Sequence, residues 1–581
     1  MKIKNIALAG LIALTGITSC EDNLDLVNPN QQTTADYGSK PSDLEETVIA
    51  CYNRIRIEGT YARVGYLLDV VAGDEVNSYS DNDWWRPYDY LNASQVVTND
   101  DSPLHWIFRD FYYTINTCNQ LLFYVENSGL DPNSEAYKRA KGQGLFIRAL
   151  SYYELACYYQ DIPLITDFNA VSINDLMAST NTQDEVFDQV EKDLKEAMDL
   201  LPSRDEGGEW ASGRATCGAA AGYYARTLMF RHKFADALTV LKDIIAGKYG
   251  HYALNADYGD NFRSTVENTA ESLWEVQFLD YGVGGSDMEW TPVNNSKSST
   301  QGHALETVFG NGDILGWNDL AATPWLYQTF KSQKTKNGTV DPRLYWTLIS
   351  YEDDYNTMNG FDNKAFTVKY TKHVTTGTRK GISIAKHTTA RENLYPQIAA
   401  AGLSCGVNIR LMRYSDVLLR AAECENEISG PTQQAIDWIN QVRARVGLEN
   451  LQLASFPDAH ALFEQIANVE RPTEFGCEHG RMQDIIRWGW LYSGDRLEQL
   501  RKHACTYWND DAKVGVLPDS PANADDDPFS HWQSGHEYLP ITTFNMNANS
   551  NLKGNSANRS EANTPSFNVH PVVKGLNIGV Q

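Results

Sequence analysis

Apolar positions recur at helical spacing over long stretches of this chain and lose that spacing in between. From Leu104 to Glu126, residues Trp106, Phe108, Tyr112, Ile115, Leu122 and Val125 gather near one face, which predicts a helix of that length. Asp131-Pro132-Asn133-Ser134 breaks the pattern, and a second helix is predicted from about Ser134 to Tyr159, ahead of Asp161-Ile162-Pro163. Ser42 with Glu45, and Thr182 with Glu185, have the spacing of a capping box. Helices are expected from these points to about Ile57 and to Leu201-Pro202. Arg214 to Phe230 carries Ala219-Ala220-Ala221-Gly222, small residues that let a helix pack closely, and Phe234 to Ile245 follows and ends at Gly247. Met412 to Ile428 and Thr432 to Val446 read as two further helices divided by Gly430-Pro431. Residues 60–103 and about 249–405 are rich in Gly, Asn, Asp, Thr and aromatics, which predicts loops with short strands. The tail from Pro521 onward is Asn/Asp/Ser/Pro-rich and predicted irregular.

The first twenty residues depart from all of this. Met1-Lys2-Ile3-Lys4 is a basic start, and Ile6 to Ile17 is an apolar run too short to span a bilayer but suited to a signal peptide. It ends Ile17-Thr18-Ser19-Cys20, which resembles a bacterial lipobox whose Cys thiol is acylated. Residues 1–19 are therefore expected to be a signal peptide, Cys20 the lipidated residue, and 20–40 an anchor and flexible tether. Beyond that start no run of 18 apolar residues exists, so no transmembrane helix is expected. A formal net charge of -26 argues against nucleic acid as the main ligand, since phosphate contacts need a basic face. The remaining cysteines form no CxxC and no metal-type cluster with His. Cys118, Cys157, Cys217 and Cys424 sit in apolar helical patterns and read as small buried hydrophobes, and any disulfide is left unpaired by the sequence.

Several motifs carry a family resemblance. Residues 144–164, with Arg148, Ala149, Tyr152, Tyr153, Tyr158, Tyr159, Ile162 and Pro163, form one; Trp106, Tyr113, Ile115 and Asn119 form another. Arg214 to Ala220 and Trp274 to Phe278 follow in order. Then come Ile409 to Glu423, Ile439 to Leu448, Glu470-Arg471 with Glu474, and Glu478, Arg481, Asp484, Arg487-Trp488-Gly489. Leu539-Pro540-Ile541 and Asn549 to Leu552 close the series. Together they resemble SusD/RagB-family outer-membrane nutrient-binding lipoproteins of Bacteroidetes. Two local departures stand out: Glu478-His479-Gly480 replaces the usual Glu-Gly, and Pro472 interrupts a Glu-Arg-Arg run. The acidic Glu21-Asp22-Asn23-Leu24-Asp25 resembles the surface-export signal of such lipoproteins. The resemblance implies a mainly α fold, a tetratricopeptide-like α/α superhelix scaffold with an inserted loop-rich region containing short strands. It makes residues 41–581 a single domain, with the scaffold over 41–250 and 406–500, a ligand-binding insertion at about 251–405 and an irregular part at 501–581. It further implies a cell-surface protein that captures oligosaccharides and delivers them to a SusC-like TonB-dependent transporter barrel. Peptide capture, as in the RagB branch, is the alternative within the class.

The residues themselves bear on chemistry. Glu470 with Glu474, or Glu478 with Asp484, offer paired carboxylates for a surface glycoside hydrolase, which needs two carboxyls flanking a sugar. The reading adopted is an ion-pair network, Arg471 with Glu474 and Arg481 with Asp484 at i,i+3 spacing, and hence no enzyme. The twelve His show no metal spacing, and no cofactor is expected. Asp81-Asn82-Asp83 and Asp525-Asp526-Asp527 have the oxygen chemistry of a structural Ca²⁺ site but read first as solvated loops. Ligand binding is assigned to loop aromatics, because a flat ring matches the C–H face of a sugar while neighbouring amides and charges pair with its hydroxyls. Asp81, Asn82, Asp83, Trp84, Trp85, Arg86 and Tyr88 supply that mixture, with Trp85 preferred over Trp84. Tyr281, Trp290 and Trp317 of the insertion stand second. Trp325, Trp106, Trp438 and Trp488 lie in helix-like stretches and are expected in the core.

Overall fold

A computed structural model describes residues 38, 40–78, 103–168, 178–279, 302–309, 319–349, 382–389, 391–392, 405–492, 494–504, 507–509, 514–516 and 538–554. The first part is an array of helices: α1 (Pro41–Arg54), α2 (Val64–Ala72), α3 (Pro103–Asn127), α4 (Glu135–Tyr159), α5 (Gln183–Leu200), α6 (Cys217–Phe230) and α7 (Phe234–Ile245). Each of α3 to α6 packs on its successor, and α1 packs on α3. The architecture is the expected α/α array. Two local causes set its ends. Ser134 caps α4, and at α5 the Thr182 side chain accepts from the Glu185 N–H while Glu185 returns a bond to the Thr182 backbone. The small residues of α6 act as predicted. Ala219, Ala220 and Ala221 are buried, and a Cβ at Gly222 would sit 2.6 Å from the Met412 sulfur, so a larger residue there would have to displace the Met412 side chain.

Four sequence expectations need correction here. The Ser42–Glu45 capping box does not form. Helix α1 begins at Pro41 with Lys40 as its cap, because Pro41 needs no N–H partner at the first position, and Ser42 lies inside the helix. Helix α1 also stops at Arg54. Helix α6 starts at Cys217 rather than Arg214, with the Thr216 hydroxyl as its cap. The reading of 60–103 as loop misses α2, whose nine residues are all buried. A helix apolar all round has no periodic stripe to detect.

Short strands β1 (Val76–Ser78), β2 (Ile162–Pro163) and β3 (Thr180–Asn181) lie between helices of the array, and the second part begins with β4 (Ser272–Val276), α8 (Leu305–Phe309), β5 (Leu320–Ala322), α9 (Pro324–Ser332), α10 (Arg343–Thr347), β6 (Leu348–Ile349), β7 (Ser383–Ile384) and β8 (Ile409–Arg413). All the pairings are antiparallel: β1 with β5, β2 with β3, β4 with β8 and β6 with β7. Strand β8 takes residues assigned above to the helix at Met412. The helix α11 (Tyr414–Ser429) starts only after it, because Ile409–Arg413 are drawn into pairing with the buried β4. Helix α11 packs on α7, so the array closes across the insertion, and α12 (Gln433–Arg445) packs on α11. Helices α13 (Ala459–Gln465), α14 (Arg471–Phe475), α15 (Arg481–Arg487) and α16 (Gly494–Ala504) follow, then β9 (Tyr507–Asn509), β10 (Val514–Val516) and α17 (Thr543–Ala548).

Pro472 is accommodated because residues 466–470 form a wider helical turn between α13 and α14, which relieves the ring's clash with the preceding turn. Of the four Trp expected in the core, Trp438 and Trp488 are buried, Trp106 is half-buried, and Trp325 is half-buried with its ring stacked on His503 at 3.8 Å. Cys118, Cys157, Cys217 and Cys424 are buried free thiols, as expected. Among the described residues no helix is long and apolar enough to cross a membrane.

Candidate functional site

Asp81, Asn82, Asp83, Trp84, Trp85, Arg86, Tyr88, Tyr281, Trp290 and Trp317 lie outside the described residues, as do Cys20 and Asp525 to Asp527. The frame from which the candidate segments spring is described, and it brings their ends together. Strand β1 ends at Ser78, immediately before residues 79–102. Strand β5 begins at Leu320, just after residues 310–318, and the two residues are register partners. The Asp319 N–H donates to the Val308 carbonyl at 3.1 Å, which closes the two ends of the segment holding Trp317. For residues 280–301, Phe278 on one side meets His303 on the other, ring edge to face at 5.0 Å. His303 exchanges backbone bonds with Cys405 at 2.8 and 2.9 Å, and the Ala304 N–H donates to the Ala62 carbonyl at 3.0 Å. The chain thus gathers the roots of the three aromatic segments that chemistry had singled out separately.

The described residues also hold a dense network of buried charge. Arg413, at the end of β8, donates to Glu271 at 2.9 Å, to Glu474 at 2.8 Å and to Glu478 at 2.8 and 3.1 Å. Arg445 pairs with Glu271 and Glu474, and Arg343 joins Glu474 to Asp341. Lys386 reaches Glu478 at 2.8 Å, and Glu470 takes Arg443 at 2.6 Å. A second group centres on Asp484, which accepts from Arg471 and Arg487, with Asp416 bridging Arg420 and Arg471. Arg481 grips Asp74, whose other contact is His503 Nδ1 at 2.8 Å.

The network is real, but its expected pairings are not. Arg471 does not meet Glu474, and Arg481 does not meet Asp484. Each reaches a residue distant in sequence, because α14 and α15 are short and pack on different neighbours. Burial raises the cost of charge on Glu474 and Asp484, yet their arginines hold both carboxyls well below the ordinary carboxylate range. Glu75 and Glu306 behave in the opposite way: burial outweighs their polar partners and pushes both up to about 7. Arg343, Lys386 and Asp74 were missed by the sequence reading. None stands at helical spacing from its partner, so no local signal marks them. Among the described residues no group of His, Cys, Asp and Glu is arranged to hold a metal ion.

The model of the SusD family matches residues 270–557, and the model described as "Starch-binding associating with outer membrane" matches residues 22–229. This chain belongs to the SusD/RagB family. SusD-like protein P25 of Formosa agariphila is 24% identical over 514 residues, covering 84% of this chain and 91% of that protein. A SusD-like protein of Bacteroides ovatus is 22% identical and covers 94% and 93% of the two chains. Among solved structures, a SusD homolog from Bacteroides thetaiotaomicron superposes with a TM-score of 0.70 at 18% identity, over 90% of this chain and 99% of that one. Surface glycan-binding protein A from the same organism, in complex with laminarihexaose, gives a TM-score of 0.65 at 20% identity, over 89% and 99%. The SusD/RagB motifs at 470–487 are thus the charged network just described, and the departure at His479 falls within it.

Proposed function

We propose that this SusD/RagB protein is a cell-surface lipoprotein that binds oligosaccharides, without cleaving them, and hands them to a SusC-like TonB-dependent transporter barrel. The observation that carries the reading is the convergence of the roots of residues 79–102, 280–301 and 310–318, because these segments hold Trp84, Trp85, Tyr281, Trp290 and Trp317. Family membership supports the glycan class, and laminarihexaose bound to a protein of this fold makes that neutral glucan the first ligand to try. Binding without cleavage fits the motif carboxylates. A glycosidase acid must reach a sugar oxygen and keep its proton near neutral pH, whereas Glu470, Glu474 and Asp484 are buried and engaged by arginine. Acylation at Cys20 anchors the chain to the outer membrane, and a partner barrel supplies the route across the bilayer.

Calorimetric titration of neutral oligosaccharides into the mature chain tests the reading. Trp84→Ala or Trp85→Ala should weaken binding about 5- to 150-fold, the worth of one stacking aromatic by analogy with bases stacked on protein rings. Binding of extended peptides and of no glycan, or release of shorter sugars from a bound glycan, would overturn it. Co-purification from outer membranes in mild detergent should bring down a barrel of transporter size, and a consistently solitary chain would refute the delivery step.

A further inference from the structure

A polar cavity of about 30 Å³ lies where α6, β8, α11 and the turn before α15 meet. Its wall includes Arg226, Arg413, Asp416, His479, Arg481 and Asp484, all buried. Most of its charges answer one another: Arg413 takes Glu478, Arg481 takes Asp74, and Asp416 and Asp484 share Arg420 and Arg471.

Arg226 is different. Its Nη2 donates to Gln483 at 2.9 Å, and its guanidinium lies 5.7 Å from the ring centres of both Tyr153 and Tyr223. The charges of Asp416 and Glu154 act on it, and its Nε has no protein partner. His479 shares the wall and the shortage. Its Nε2 lies 2.9 Å from the Tyr158 hydroxyl and 3.3 Å from Glu154, while its Nδ1 has no protein partner. Burial alone would strip the proton from this imidazole, but Glu154 and Asp69 hold it above its ordinary value.

Two buried nitrogens without a protein partner, Arg226 Nε and His479 Nδ1, therefore belong to the wall of a cavity that also carries carboxylate oxygens. A group that can both accept and donate satisfies all of them, and water does so. A halide accepts equally well but faces Asp416 and Asp484 across the same space. A water in a protein cavity needs about 10–15 Å³ and two to four polar partners, so the volume accommodates about two. We propose that this cavity is a permanent hydration site, holding about two ordered waters that join Arg226 Nε and His479 Nδ1 to the carboxylate wall. The residue that departs from the family's Glu-Gly pair thereby gains its missing contact. Gly480 leaves the space open, since a Cβ there would fall 2.5 Å from Arg226 Nη2.

A crystal structure of the mature chain at atomic resolution is the test, with a second crystal transferred to bromide. Two water peaks within hydrogen-bonding distance of Arg226 Nε and His479 Nδ1, unchanged in bromide, are expected. Flat density, an anomalous bromide peak, or direct protein partners on both nitrogens would overturn the proposal. Oxygen-17 relaxation dispersion on the wild-type chain gives a solution count of long-lived waters. Arg226→Met, where it folds, should lower that count by one or two, and an unchanged count would refute the site.

Discussion

Replacing Arg413 by methionine isolates the contribution of the buried network. The side chain is 1% exposed and donates to Glu271, Glu474 and Glu478 at once. Methionine keeps most of the volume and removes the charge. Three carboxylates then lose their shared cation inside the protein. Glu271 and Glu474 retain Arg445, and Glu478 retains Lys386, so none is left wholly unpaired. Breaking a buried pair by removing one partner costs about 3–5 kcal/mol, and the surviving cations place this variant at the lower end. For 581 residues an unfolding entropy of about 2.1 cal/mol/K per residue turns about 3 kcal/mol into a shift of about 2.5 °C. Differential scanning fluorimetry on the mature chain resolves that shift. Lys248→Ala, which removes the exposed pair with Asp243, is the control and should leave the melting temperature unchanged. If Arg413→Met melts with the wild type, the network does not hold the fold together and the structural role assigned to these motifs fails. If it melts early but keeps its glycan affinity when folded, Arg413 is structural and no part of a binding surface.

Further outcomes are expected at other positions. Glu306 is held up to about 7 while an unfolded glutamate ionises near 4.3, so between these values the unfolded chain sheds a proton that the folded chain keeps. Stability falls as pH rises through that window, by about 4 kcal/mol in all, and Glu306→Gln should remove this part of the fall in denaturant titrations at pH 4.5 and 7.5. Asp416 and Glu474, held low by their arginines, contribute stability that is present above about pH 4 and lost on acidification. Asp416→Asn should therefore flatten the acid limb of the same profile. Gly480→Ala should destabilise by about 1–3 kcal/mol, because its φ of +121° is costly for a residue with a Cβ and the added atom meets Arg226; thermal melting checks it. Cys20→Ala should abolish acylation, and undiminished surface labelling of intact cells expressing it would refute the anchor.

How much of this was legible in the residues differs by interaction range. The capping box at Thr182, the break at Asp131-Pro132 and the close packing of Ala219 to Gly222 are local, and each was placed to within a residue or two. Helix α2 was lost because its apolar residues leave no polar face to set a period. Strand β8 hid inside a helix-like pattern because its conformation is imposed by β4, more than 130 positions away. For the candidate site, composition singles out segments whose residues lie outside the described ones, and the structure adds that their roots adjoin. That adjacency depends on pairings such as Ser78 with Leu320, which no spacing encodes.

The charged motifs show how a correct motif leads to a wrong partner. Glu470, Glu474, Glu478 and Asp484 lie close in sequence, which invites two readings, a catalytic pair or a helix-surface ladder. Most of the partners come from elsewhere: Arg443 for Glu470, Arg343 for Glu474, Lys386 for Glu478 and Arg420 for Asp484, while Asp484 also keeps Arg487 at i,i+3. Arg343 and Lys386 belong to the insertion, whereas Glu474 and Glu478 belong to the scaffold. These contacts therefore fasten the loop-rich part to the helical array. Loops that grip a sugar gain affinity when ordering them costs little on binding, so a stiff platform serves recognition without touching ligand. On this argument the acid-and-arginine run serves the fold through the platform it makes, with its carboxylates buried against arginine and lysine.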